Sequence, residues 1–306
     1  MSTAIATIAV MTAAGFCAPT AHAAARIEGT YQAPGVLTVT WDDGRELGCE
    51  APRTQQPGGH TVIYPNDPAS GPHPIVVWGN GTGFGTDSTC SYHDALVHLA
   101  SWGFVVVAPN SGAVGDGTAL LAAVDHAVEL NDDPSSPLHN RLDTDRIAAV
   151  GHSQGAGGAV TAARSSAGRI VSVVALAFAD PTPLWWWPVG LPVPTAAGLS
   201  APIFLVRGTG DWLATERGQR IYFDQVSGAA AKAALVGGDH LDLTGALGYV
   251  TAWLRYSLAG DVFARRAFVG DGAGPPELAT NIAPGGHWRE VALKNLPFCA
   301  GCPPGS

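Results

Sequence analysis

Six short apolar runs, each bounded by turn residues and separated by stretches of helical spacing, constrain this chain more than any other feature. They are Pro74 to Asn80 (PIVVWGN), Gly103 to Asn110 (GFVVVAPN), Arg146 to Ser153 (RIAAVGHS), the run from Arg169 (RIVSVVALAFA), Ala201 to Gly208 (APIFLVRG) and Ala231 to Gly238 (AKAALVGG). Polarity does not alternate within them, so both faces of each strand must be covered, as in a parallel sheet with helices on either side. The intervening segments suit those helices. YHDALVHLASW sets Leu96, Leu99 and Trp102 on one side, and TALLAAVDHAVEL spaces Leu120, Ala123, Val124 and Val128 at helical intervals. ATERGQRIYFDQV and GALGYVTAWLRYSL fill the later gaps. Upstream, Gly35 to Trp41 alternates polar and apolar positions, and HTVIYPND follows a Gly-Gly turn. Strand and helix in alternation predict a doubly wound α/β fold with a mostly parallel central sheet of about eight strands.

No repeat or linker divides the chain, and at 306 residues with 46% hydrophobic content it can bury one large core. Residues 24–306 are therefore expected to form one domain, with an irregular Gly/Pro-rich tail from about residue 270. Residues 1–23 read differently. They carry no charged side chain, and a short apolar stretch leads to Ala21-His22-Ala23, the pattern of a secretory signal cut near Ala23/Ala24. A basic residue ahead of the apolar stretch is missing. Pro19 and His22 interrupt it well short of the roughly 20 apolar residues a membrane span needs, so stable membrane insertion is not expected. The formal net charge of −9 argues against an electrostatic grip on nucleic acid.

Export would place the cysteines in an oxidising compartment. Cys17 leaves with the signal, and Cys49, Cys90, Cys299 and Cys302 remain. Four cysteines allow three pairings that sequence cannot decide, with Cys49–Cys90 and Cys299–Cys302 preferred. The CAGC stretch lies in a Pro/Gly-rich tail rather than at a helix start, which disfavours a redox role. Paired zinc-ligand spacing is absent, so no metal is expected.

One polar residue stands where the packing is tightest. Gly151-His152-Ser153-Gln154-Gly155 follows an apolar strand without a gap and opens the small-residue helix QGAGGAVTAA. Strand, sharp turn and helix with Ser at the tip form the setting of a nucleophile elbow, in which flanking glycines permit the strained bend. An N-cap role for Ser153 would leave those glycines unexplained. A serine hydroxyl needs a base, and sites built on such an elbow use the chain order Ser, then acid, then His, with each partner on a loop after a later strand. Only His240 and His287 follow Ser153. His240 comes directly after the AALVGGD strand and is the expected base, whereas His287 lies in the tail. Asp211, behind the Gly-Thr-Gly turn after the preceding strand, is the expected acid, with Asp180 the alternative. Asp239 and Asp242 flank His240 too closely to reach its far ring nitrogen. Val76 to Gly85 (VVWGNGTGFG) runs a strand into a glycine-rich turn whose amides can approach an oxyanion; no Lys follows, so it is not a phosphate-binding loop.

With PIVVWGNGTG, HLASWGFVVVAPN, GHSQGAGG, GTGDWLA, GGDHLDL and TAWLRYSLAGD, the chain resembles the secreted bacterial polyesterases from about Thr61 to Phe268. These are the cutinase-like and PET-hydrolase-like branch of the α/β-hydrolases, near the dienelactone-hydrolase superfamily. The resemblance implies an α/β-hydrolase fold, Ser153 as nucleophile, Asp211 as acid and His240 as base. It further implies oxyanion donors at the Gln154 amide and the amide near Gly81, and no cofactor. Many relatives carry a substrate-clamping aromatic residue where this chain has Gly81, and Phe84 is the candidate to replace it. Dienelactone hydrolases use a Cys nucleophile, which disfavours that activity here.

The stretch FADPTPLWWWPVGLPVPTAAGLSAP holds Trp185, Trp186 and Trp187 in a row. Packing under a long loop and an apolar substrate platform at the site mouth are both open readings. The expectation is a secreted, monomeric serine ester hydrolase of cutinase-like polyesterase type. The rivals are a lipase, a cell-wall (acetyl or feruloyl) esterase, and a noncatalytic binding protein on the same fold.

Overall fold

The computed structural model describes residues 26–42, 59–67, 71–83, 88–182, 193–242 and 244–297. The expectations for the export segment and for Cys49, Phe84, Trp185, Trp186, Trp187, Cys299 and Cys302 lie outside those residues. Cys90 is disulfide-bonded.

Nine strands among the described residues form one sheet: β1 (Val39–Asp42), β2 (His60–Pro65), β3 (His73–Gly79), β4 (Val105–Pro109), β5 (Leu142–His152), β6 (Ile170–Leu176), β7 (Ile203–Gly208), β8 (Ala230–Leu235) and β9 (Trp288–Lys294). Their order is β1-β2-β4-β3-β5-β6-β7-β8-β9. The six strands from β4 to β8 in that order run parallel, and antiparallel strands close both ends. This is the α/β-hydrolase architecture. The six apolar runs are the six parallel strands, and their side chains divide by parity. Val76 and Trp78 on β3, Val106 on β4 and Val150 on β5 enter one layer of the core. Ile75, Val77, Val107 and Ala149 enter the other.

Helices α1 (Arg26–Gln32), α2 (His93–Ser101), α6 (Leu247–Ala259) and α7 (Val262–Val269) cover the first layer, and α3 (Thr118–Asp132), α4 (Gln154–Ser165) and α5 (Glu216–Gln225) the second. A short helix, α8 (Glu277–Thr280), precedes β9.

The tail departs from the expectation of irregularity. β9 adds an antiparallel edge to β8, with Ala230 opposite Lys294 and Leu235 opposite Trp288. The fully buried Trp288 donates its indole N–H to Glu28 in α1 at 2.6 Å. The Glu277 carboxylate accepts the backbone N–H groups of Ile27 and Glu28 at the start of α1, at 3.0 and 2.9 Å. The two ends of the described chain therefore hold each other. The ninth described strand therefore comes from a stretch expected to be an irregular tail.

Candidate active site

Ser153 sits between β5 and α4 at φ 56°, ψ −117°, a conformation L-residues rarely adopt. The crowding around it explains both glycines. A Cβ on Gly151 would stand 2.1 Å from the Gly155 carbonyl oxygen, and one on Gly155 would stand 2.1 Å from that of Gly79. The bend brings β5, α4 and the end of β3 to backbone contact. The Ser153 N–H donates to the Leu176 carbonyl at the end of β6, at 2.9 Å, which pins the turn.

The next two loops converge on the serine. After β7, the Gly210 N–H donates to the Gly238 carbonyl at 2.8 Å, joining the turn that carries Asp211 to the loop that carries His240. A Cβ on Gly208 would meet that same carbonyl at 2.1 Å, so only glycine allows the approach. His240 Nε2 lies 2.9 Å from Ser153 Oγ, and His240 Nδ1 lies 2.9 and 3.0 Å from the two Asp211 oxygens. The Asp211 side chain is fully buried, and one of its oxygens also accepts the N–H groups of Leu213 and Ala214 at 2.9 and 2.8 Å. With Nδ1–H held by the carboxylate, Nε2 presents its lone pair to the serine hydroxyl. Such a chain can move a proton from hydroxyl to imidazole and stabilise the imidazolium formed.

Asp180 does something else. Its carboxylate accepts the Thr182 N–H at 2.8 Å and the hydroxyls of Thr182 and Thr215, and its own N–H donates to the Leu213 carbonyl. Burial works against its ionisation, but the hydrogen bonds from Thr182 and Thr215 outweigh that and hold the carboxyl below the usual range. Asp180 ties the loop after β6 to the loop after β7, away from His240. Asp239 caps the turn behind the histidine through the N–H groups of Leu241 and Asp242. The exposed His287 side chain faces Glu28.

The oxyanion side needs a correction. Gln154 opens α4, where the first amides have no partner within the helix, as expected. Gly81 does not fit the second role. Its N–H donates to the Tyr92 hydroxyl at 2.8 Å, in the protein interior. Tyr92 holds that amide inward, so it is not open to a substrate oxygen. The next amide, that of Thr82, donates to no atom among the described residues.

Two features escaped the sequence reading. His152 in the elbow is fully buried and lies between Tyr92 Oη at 2.8 Å and the His240 carbonyl at 2.7 Å. Large exposed apolar side chains follow the acid and the base directly in the chain: Trp212 (70% exposed) after Asp211, and Leu241 (49%) after His240. Among the described residues no group of three His, Cys, Asp or Glu side chains could hold a metal ion, and no helix is long and apolar enough to cross a membrane.

A family model described as PETase, PET hydrolase-like, matches residues 50–256. A bis(hydroxyethyl) terephthalate hydrolase from Streptomyces coelicolor (strain ATCC BAA-471 / A3(2) / M145) is 32% identical over 117 residues, covering 35% of this chain. The match spans about a third of that relative's length, 34%.

Proposed function

The chain belongs to the PET hydrolase-like family, and on that premise we propose that it is a serine hydrolase of carboxylic esters acting through Ser153, His240 and Asp211. The observation that carries this reading is the unbroken chain from Ser153 Oγ through both ring nitrogens of His240 to Asp211, with every link at 3.0 Å or less. Ser153 Oγ attacks the ester carbonyl carbon while His240 Nε2 takes the hydroxyl proton. The tetrahedral oxyanion is met by the Gln154 amide and, from the loop after β3, by the Thr82 amide in place of Gly81. His240 gives its proton to the departing alkoxide, which leaves as alcohol, and an acyl-serine remains. Water then attacks that acyl group, His240 again takes a proton, and the carboxylic acid and free serine result. Asp211 holds the imidazole in the required tautomer throughout.

Apolar ester substrates fit the rim. Trp212 and Leu241 expose hydrophobic surface beside the acid and the base, and similarity to a relative named for an aromatic diester points the same way. The protein is proposed to work outside the cell as a single domain starting near Ala24, a reading that rests on the signal-like pattern of residues 1–23.

The test is Ser153→Ala against wild type on p-nitrophenyl esters from C2 to C16 and on a polyester film, with labelling by a fluorophosphonate probe. Wild type should label and turn over, and the variant should do neither, with a loss on the order of 10⁶ in turnover. Full activity in Ser153→Ala would remove the mechanism. A wild-type protein that neither labels nor hydrolyses would favour the noncatalytic binding role. A preference for C12–C16 esters without film release would favour a lipase.

A further inference from the structure

His152 is surrounded by groups that determine where its protons go. Its Nε2 lies 2.7 Å from the backbone carbonyl of His240, which only accepts, so Nε2 carries the hydrogen. In the neutral ring Nδ1 is then a lone pair, and the Tyr92 hydroxyl 2.8 Å away must donate to it. The Tyr92 oxygen keeps a lone pair, which accepts the Gly81 N–H at 2.8 Å. Every donor meets an acceptor in one direction only: Gly81 N–H to Tyr92, Tyr92 O–H to His152, His152 Nε2–H to the His240 carbonyl. The rings pack along the same line, with centroids 5.7 Å apart for Tyr92 and His152 and 5.0 Å apart for His152 and His240. The loop after β3 and the loop after β8 share no strand pairing, and this relay bridges them beneath Ser153.

We propose that Tyr92 and His152 are positioning residues that lock the oxyanion loop to the base loop, Tyr92 by turning the Gly81 amide inward and His152 by fixing the main chain at His240. The inference rests on the ester-hydrolase reading above, because what it positions are that reaction's oxyanion donor and base. Neither side chain touches substrate; Tyr92 acts through the backbone that leads into the Thr82 amide, and His152 through the backbone that carries the His240 imidazole. Burial drives the imidazole's pKa down to about 4, so the neutral form the relay needs is the one present at neutral pH.

The experiment compares Tyr92→Phe, His152→Leu and His152→Gln with wild type on p-nitrophenyl butyrate, with kcat expressed per active site titrated by fluorophosphonate. Phe and Leu each break the relay, whereas Gln offers an amide N–H to the His240 carbonyl and an amide oxygen to Tyr92. Tyr92→Phe and His152→Leu should lower kcat about 10- to 100-fold, less than outright deletion of an oxyanion donor, with KM within about twofold. His152→Gln should recover kcat to within about threefold of wild type. Wild-type kcat in Tyr92→Phe and His152→Leu, or a His152→Gln as impaired as His152→Leu, overturns the proposal. A purely structural role would lower the titrated active-site fraction and the melting temperature while leaving kcat per site unchanged, and that result also overturns it. A second measurement does not depend on activity. Long-range ¹⁵N–¹H spectra of the wild-type protein should show His152 as the Nε2–H tautomer, and an Nδ1–H tautomer refutes the relay even if the protein proves not to be an esterase.

Discussion

At the scale of single residues, two buried aspartates near the site do opposite work. Asp211 is bonded to His240 Nδ1, and Asp180 to threonine hydroxyls. Asp211→Asn would set an amide N–H against His240 Nδ1–H and favour the wrong tautomer, so kcat should fall by roughly 10⁴-fold with the fold intact. Asp180→Asn exchanges a charged acceptor for an amide and should lower stability by about 1–3 kcal/mol, with kcat per folded molecule close to wild type. Thermal melts and ester kinetics on both variants check this, and an Asp180→Asn crippled in kcat with a normal melting temperature would reverse the assignment. Ser153, Asp211 and His240 were legible in the sequence because each sits behind a strand on a glycine-loosened turn. Gly81 was not: its amide direction depends on Tyr92, eleven residues on, and no local pattern marks that contact. His152 stood in plain view in the elbow, but its partner is a backbone carbonyl 88 residues away.

At the scale of elements, the parallel strands were legible because burial on both faces leaves a continuous apolar run. β9 was not, because it is an edge strand. Of WREVALK only Trp288 is buried, the other positions are half-buried or exposed, and Gly and Pro precede it. Its identity comes from the β8 edge rather than from its own pattern. What β9 brings is a partner for a buried cation: the Glu290 carboxylate accepts both its hydrogen bonds from Arg207 Nη2 on β7, at 2.6 and 2.7 Å. Arg207 is 6% exposed, so Glu290→Ala should cost about 3–5 kcal/mol, the usual penalty for stranding a buried charge. A tail merely draped over the surface would show almost no change in denaturant midpoint. The loops after β7 and β8 carry a different prediction. If substrate covers Trp212, about 100 Å² of apolar surface leaves water, or roughly 2–3 kcal/mol. Trp212→Ala should therefore lower kcat/KM on long-chain or aromatic esters about tenfold or more while sparing p-nitrophenyl acetate. Equal loss on both substrates would place the indole outside the binding surface.

For the whole molecule, the cost of folding around neutral histidines appears as acid sensitivity. Burial lowers the pKa of His152 to about 4 from an unperturbed 6.5, with the His240 carbonyl and Asp211 pulling upward and the His240 ring downward, and it lowers those of His60 and His98 as well. Between those limits the unfolded chain binds a proton that the folded His152 refuses, so stability falls as pH falls. The contribution is complete above about pH 6.5 and lost by about pH 4. For His152 alone it amounts to about 3 kcal/mol over the 2.5-unit gap, at about 1.4 kcal/mol per unit. Asp180 and Asp261, whose carboxyls are held below the usual range, continue the decline at still lower pH as they take up protons on unfolding. The melting temperature should thus be flat from about pH 7 to about pH 9 and drop between pH 6.5 and 4, by roughly 6–12 °C from His152 for a chain of this size. His152→Gln should start from a lower plateau and fall less steeply, because glutamine has no proton to bind. Parallel slopes for the two proteins would mean that His152 does not stay neutral in the fold, and the acid loss would then belong to other groups.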